Sequence, residues 1–181
     1  MGGGTVPIVS ILKKQFRVPI YIDNDANCFT LAEATLGAGK NERTIFGITV
    51  GTGVGGGLVL NGRLPHGRAS SAGEIGHTII KGLTPEAKRC ACGVRGHLET
   101  SAAGSVRTKL AKKIGDAKAD EEIARALAVA CANIITLLDP DCIVIGGGAG
   151  IRIGLVTRIK HHLAPLLYDK QFRTTKFVKA K

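Results

Sequence analysis

The chain reads as an α/β domain, and three observations predict it. Runs rich in β-branched residues, "RTIFGITVG", "VGGGLVLNG" and "CIVIGGG", alternate with stretches of helical spacing such as "DEEIARALAVACANIITLLD". Hydrophobic residues make up 44% and charged residues 22% of the 181, which allows a packed core and excludes wholesale disorder. Glycine is abundant, 25 residues, and falls in clusters rather than at a repeat, which points to tight loops close to a ligand.

Taken in order, "TVPIVSILKKQF" predicts a helix with Ile8, Ile11, Leu12 and Phe16 on one face. "RVPIYI" predicts a short buried strand, with Pro19 tolerated near its start. "ANCFTLAEATLG" predicts a helix ending at Gly37. The next two runs predict a hairpin around the turn Gly51-Thr52-Gly53. Residues 62–96 read as loop, interrupted by a short strand at "HTII". "HLETSAAGSVRTKLAKKI" and "DEEIARALAVACANIITLLD" predict helices, the second opened by acidic residues suited to a helix N-terminus. "CIVIGGG" predicts a buried strand running into a glycine turn, and "IRIGLVTRIKHHLAPLL" a final helix. No internal repeat stands at solenoid spacing.

The formal charge is +11. Between residues 151 and 181 stand Arg152, Arg158, Lys160, Lys170, Arg173, Lys176, Lys179 and Lys181, against Asp169 alone. Such a tail suits nucleic acid or an acidic surface. Aromatics at 4%, the lack of Trp and the absence of nucleic-acid motifs favour a solvated helix face and a frayed end instead. Of the five cysteines, Cys28, Cys131 and Cys142 sit in apolar stretches and read as buried. An odd number of cysteines and no apolar leader point to a reducing cytoplasm, and the apolar runs are too short to cross a bilayer, so no membrane is expected.

Several stretches carry chemistry. "YIDNDAN" places Asp23, Asn24, Asp25 and Asn27 between a predicted strand and a helix, where polar groups face the ligand crevice of α/β folds. An Asp there can accept a proton from a hydroxyl, and an Asn can fix a second hydroxyl. Equally, Asn24 or Asp25 can cap the following helix. "GTGVGGG" could cradle phosphate with backbone N–H groups and the Thr52 hydroxyl, or be a plain tight turn. "GGGAG", residues 146–150, can approach a nucleotide but lacks the dinucleotide spacing, which disfavours a dehydrogenase. "GEIGH" supplies Glu74 and His77; Cys90, Cys92, His97 and Glu99 follow. His77, Cys90, Cys92 and His97 make a four-ligand zinc set of the structural kind, although the CxC pair is tighter than the usual CxxC.

Together "NDAN" with "LAE", "GTGVGGGLVLNG", "AGEIGH", "CACGVRGHLE" and "DPDCIVIGGG" resemble, in order, the ROK family of sugar kinases and sugar-responsive repressors, over residues from about 5 to 150. The resemblance implies an actin-like ATPase (ribonuclease H-like) fold, mainly its C-terminal lobe. It also implies glucokinase-like transfer of phosphate from ATP, with Mg²⁺, to a hexose or N-acylated hexosamine. By the same resemblance Asp25 matches the catalytic base, and Asn24, Glu74, His77 and Glu99 match sugar ligands. Thr52 and Gly53 match a phosphate loop, and Gly146, Gly147 and Gly148 the adenosine turn. His77, Cys90 and Cys92 match ligands of a structural zinc. The family usually has a third Cys where this chain has His97, so His₂Cys₂ coordination is expected.

The family's opening strand and Asp-x-Gly-Gly-Thr loop are not matched. "MGGGT" mimics the loop without a strand or Asp before it, and it reads as an accident. The family's last strand and helix are also expected to be absent, leaving one partial domain over 1–181. Such a lobe is expected to turn over little ATP and to form homo-oligomers through its exposed core face. The competing readings are a non-enzymatic sugar-sensing domain of a repressor and a zinc-stabilised basic module for nucleic acid. An intact Asp25 argues against the first and the scarcity of aromatics against the second.

Overall fold

The computed structural model describes residues 6–82, 84, 86–152, 154–168 and 174–181. The β-branched runs pair as expected: β1 (Thr44–Val50) and β2 (Val54–Leu60) form an antiparallel hairpin with Gly47 opposite Gly57. β3 (Cys142–Gly146) lies parallel to β1, and β4 (Lys176–Lys179) lies parallel to β3, giving the order β2-β1-β3-β4. Successive strand residues face opposite sides of a sheet. Phe46, Ile48, Val50, Ile143 and Ile145 therefore enter one cluster, and Ile45, Cys142 and Val144 the other.

The larger cluster is covered by α5 (Asp116–Leu138) and α6 (Leu155–Leu163). α5 presents Ile123, Leu127, Cys131 and Ile134 at helical spacing, all buried. The opposite face is covered by α2 (Asp25–Thr35), which buries only small or polar residues: Ala26, Asn27, Thr30 and Glu33. Its close approach depends on the strand glycines. A Cβ on Gly47 would stand 2.2 Å from Thr30 Oγ1, and one on Gly57 would stand 2.5 Å from the same atom. These two glycines are therefore packing positions, not ligand loops. Gly47→Val is expected to push α2 off the sheet, near the upper end of the ~1–3 kcal/mol typical of overpacking. A urea midpoint equal to that of the parent would show that α2 is not held this way.

Other expectations need correction. "RVPIYI" forms no strand: among the described residues it has no strand neighbour, and Val18, Tyr21 and Ile22 are exposed. "HTII" contributes a single bridge, Ile79 to His97. The helix over residues 97–114 is two: α3 (Glu99–Ala102) and α4 (Gly104–Ile114). Ala103 turns extended between them, which lets the Gly104 N–H donate to the Gly51 carbonyl at 2.8 Å. α5 starts at Asp116, four residues early, because Gly115 at φ +83° ends α4. The last predicted helix begins only at Leu155, after Gly154 at φ +81°, and gives way at Ala164–Leu166 to a 3₁₀ turn.

The basic end is not frayed throughout. Lys176–Lys179 forms edge strand β4, and Lys176 Nζ meets Glu42 Oε1 at 2.5 Å. Cys131 and Cys142 are buried, but Cys28 is exposed, on the face of α2 turned from the sheet. The first helix is α1 (Ile8–Gln15), whose apolar residues Ile8, Ile11 and Phe16 remain largely exposed. "MGGGT", Asp169, Lys170 and Arg173 lie outside the described residues. Among the described residues no helix is long and apolar enough to cross a membrane.

Candidate active site

The N-terminus of α2 points its polar residues at the turn between β1 and β2. Asn24 is the helix N-cap: its Oδ1 accepts from the N–H groups of Ala26 at 2.8 Å and Asn27 at 3.4 Å. The capping alternative thus holds for Asn24. Asp25, the first helical residue, accepts the Ala26 N–H on Oδ1 at 2.8 Å, and among the described residues nothing bonds its Oδ2.

Asp23 is the organiser of this turn. Its Oδ1 accepts from Asn24 N and Asn27 Nδ2, and its Oδ2 lies 2.6 Å from His66 Nε2. The Asn27 bond first, then the His66 bond, lowers the Asp23 pKa to about 2. Because the folded value lies below the ordinary carboxylate value of about 3.9, this tie contributes fully above that pH and is lost as pH falls through about 2. A carboxyl NMR titration should place Asp23 near that lowered value, and His66→Ala should move it upward. A midpoint near that of a free Asp in the parent chain would refute the tie.

One cavity of about 480 Å³ gathers the residues read from separate motifs. It is lined by Asn24, Asp25, Glu74, His77, Glu99, Thr52, Gly53 and Gly147. Glu74 and His77 arrive on a short 3₁₀ turn, Ile75–His77, seated directly on β2: a Cβ on Gly76 would stand 2.1 Å from the Val54 carbonyl oxygen. Glu99 begins α3, and its Oε2 occupies the space beside Gly53, where a Cβ would come within 2.5 Å. A larger residue at Gly53 would displace that carboxylate.

Turn 146–150 closes over the end of β1, with the Ala149 and Gly150 N–H groups donating to the Val50 carbonyl at 2.9 and 3.2 Å. Gly147 there has φ +82°. Gly148 lines a second cavity of about 430 Å³ that shares Gly51 and Thr52 with the first. Gly146 lines neither; it lies in β3 against the Phe29 ring. Arg107 and Arg152 also line the second cavity, and sequence reasoning missed both. Asp120 of α5 lies 2.7 Å from Arg107 Nε and 3.3 Å from Arg152 Nε, and Asp116 also pairs with Arg107. In sequence Arg107 belongs to a lysine-rich helix; only the packing of α4 on α5 brings acids against it.

His77, Cys90, Cys92 and His97 converge, with all four ligating atoms within 4.8 Å of one another. His77 Nδ1 stands 3.2 Å from His97 Nδ1 and 3.9 Å from Cys90 Sγ; Cys92 Sγ stands 3.4 Å from His97 Nδ1. Donors on a tetrahedron around zinc, at about 2.0 Å for nitrogen and 2.3 Å for sulfur, stand roughly 3.3–3.8 Å apart. The four residues fit the ion. Cys90 also reaches Glu99 Oε1 at 3.5 Å, which joins the cluster to the cavity.

This succession of stretches matches the model of the ROK family over residues 1–181. The chain belongs to the ROK family. An N-acetyl-D-glucosamine kinase of Salmonella paratyphi B is 34% identical over 190 residues, covering 88% of this chain and 63% of that protein. A ROK hexokinase from Thermus thermophilus superposes with a TM-score of 0.82 at 28% identity, over 97% of this chain and 64% of that structure. A ROK glucokinase from Streptomyces griseus, in complex with glucose and AMPPNP, superposes with a TM-score of 0.80 at 24% identity, over 96% of this chain and 67% of its own. The ROK chain has the actin-like ATPase fold of these neighbours. It spans less than two thirds of the length of the N-acetylglucosamine kinase and of the hexokinase.

Proposed function

We propose that the chain carries the sugar-binding and zinc-bearing part of an ATP-dependent kinase that phosphorylates a hexose or N-acylated hexosamine. The observation that supports this best is the single cavity in which Asp25 meets Asn24, Glu74, His77 and Glu99 beside Thr52 and Gly53. Four side chains there can bind the hydroxyl groups of a ring, and the glycine turn offers N–H donors to a phosphate.

Asp25 Oδ1 is engaged by the backbone of α2, so Oδ2 is the oxygen free to accept a sugar hydroxyl. As that hydroxyl attacks the γ-phosphorus, its proton passes to Asp25. Thr52 and the adjacent N–H groups hold the transferring phosphoryl group, and the cavity lined by Gly148, Arg107 and Arg152 takes the rest of the nucleotide. Mg²⁺ would arrive with ATP and neutralise phosphate charge. Zinc on His77, Cys90, Cys92 and His97 would be structural: with four protein ligands it has no open position. His77 then holds the metal through Nδ1 and keeps Nε2 for the sugar.

The test is binding and turnover with glucose, N-acetylglucosamine and N-acetylmannosamine. One of them should perturb the His77 ring protons in NMR and raise ADP release from ATP and Mg²⁺. No perturbation and no sugar-dependent ADP with any of them would overturn the proposal.

A further inference from the structure

Two carboxylates stand against the arginines of the second cavity, and the kinase reading gives them no role. The network joins three elements: Arg107 on α4, Asp116 and Asp120 one turn apart at the start of α5, and Arg152 just beyond the glycine turn of 146–150. Lys109, Lys112 and Lys113 of the same α4 line a separate groove of about 900 Å³, beside the loop of Lys88 and Arg89.

The two arginines are held differently. Arg107 has 12% of its side chain exposed and meets both acids: Nε lies 2.7 Å from Asp120 Oδ1, and Nη2 pairs with Asp116 Oδ1. Both edges of its planar head are in use, so it cannot turn to a ligand without losing a partner. Arg152 is 42% exposed, and among the described residues it pairs with Asp120 alone. Its Nε lies 3.3 Å from Oδ1, the oxygen that Arg107 already takes, and its Nη2 lies 3.4 Å from Oδ2. Strong charge-assisted bonds are shorter, about 2.7–2.9 Å. Arg152 therefore shares a carboxylate and keeps part of its charge uncompensated.

An exposed pair this long does little to hold a fold together. Asp120 is nonetheless well placed to aim it, being 14% exposed and fixed by Arg107. Burial alone would raise the Asp120 pKa, yet the bonds from Arg107 and Arg152 outweigh it and hold the group below its ordinary value, as a carboxylate. The cavity of about 430 Å³ that Arg152 lines has no carboxylate in its lining; the polar side chains there are Thr52, Ser105, Thr108 and the two arginines. Such a wall suits an anion.

We infer that Arg152 holds the non-transferring phosphates of the nucleotide, and that Asp120 is a positioning residue that keeps the Arg152 guanidinium over the cavity. The inference rests on the kinase reading, which puts the terminal phosphate at Thr52. Thr52 lines both cavities, so the phosphates behind the terminal one enter the cavity of Arg152. A guanidinium fork matches two phosphate oxygens as it matches a carboxylate, and the long contacts to Asp120 are readily exchanged for them. Holding the side chain ready beforehand reduces the rotamer entropy lost on binding. Arg107 anchors Asp120 and does not itself move.

The experiment is NMR titration of the 181-residue chain with adenosine, ADP and AMPPNP in the presence of Mg²⁺, for the parent, R152A, D120N and the double variant. ADP and AMPPNP should shift the Arg152 Nε–H resonance, and adenosine should not. R152A should weaken ADP and AMPPNP about tenfold or more, as loss of a charged hydrogen bond requires, and leave adenosine as in the parent. D120N should weaken the same two ligands in the parent background and have no further effect on top of R152A. That non-additivity is the signature, because a merely structural Asp120 would weaken all three ligands in both backgrounds. D120E keeps the charge that Arg107 needs and moves the carboxylate by one methylene, so it repeats the comparison should D120N fail to fold. Equal loss of adenosine in R152A, or additive losses from the two substitutions, would overturn the inference. Nucleotide binding indifferent to R152A would overturn it while leaving the kinase reading in place. A parent chain that binds none of the three ligands would overturn both.

Discussion

Asp25→Asn is expected to leave sugar binding within a few-fold of the parent and to lower turnover by roughly a hundred- to ten-thousand-fold, the range of general-base catalysis. The amide has nearly the same shape, and its oxygen can still accept the Ala26 N–H that now bonds Asp25 Oδ1 at 2.8 Å. The cap of α2 is unaffected, because that role belongs to Asn24. What the amide cannot do is take the hydroxyl proton. The signature is therefore a fall in kcat with KM nearly unchanged. The control is Asn24→Ala, which removes both the cap and a cavity wall. It should cost helix stability of about 0.5–2 kcal/mol and raise KM. An Asp25→Asn variant with near-parental kcat would make Asp25 a helix-terminal residue and nothing more.

What was legible in sequence, and what was not, follows from the range of the forces involved. β1, β2 and β3 rest on local periodicity and emerge where expected, and α5 does so apart from its earlier start at Asp116. The cavity residues were legible one motif at a time, since each sits at an element boundary marked by glycine or by a polar cluster. Their meeting at one place depends on α2 lying close to the hairpin, and that depends on Gly47 facing Gly57 across β1 and β2. Cross-strand register is not written in either strand alone. "RVPIYI" shows the reverse failure, for strand-like composition makes a strand only where a neighbour completes its hydrogen bonds. Arg107 and the α4 lysines look alike in sequence. Packing on α5 gives Arg107 two aspartates and leaves Lys109, Lys112 and Lys113 facing a groove.

Removing zinc, by chelation or by Cys90→Ser, is expected to loosen residues 78–97 and to abolish most sugar binding while the sheet stays folded. Metal analysis of the parent should give one zinc per chain. The reason is how little else holds the loop. Among the described residues its regular pairing is two isolated bridges, Ile79 to His97 and Arg89 to Arg95, helped by single backbone bonds such as Gly96 N–H to the Lys88 carbonyl. The cluster of His77, Cys90, Cys92 and His97 ties the 3₁₀ turn of His77 to the start of α3. Without the ion, two imidazoles and two thiols at 3.2–3.9 Å have weak reasons to stay together. His77 and Glu99 would lose their positions at the cavity. The sheet, α5 and α6 share none of these contacts, so the thermal transition of the core should persist while amide exchange in the loop accelerates. Acid should mimic the chelator, since every ligand must shed a proton to bind metal. Cys92→Ser should do less than Cys90→Ser, because Cys92 is exposed and Cys90 is buried. Purified chain with well under one equivalent of zinc, or loop exchange indifferent to chelation, would show that the four side chains hold their positions without a metal.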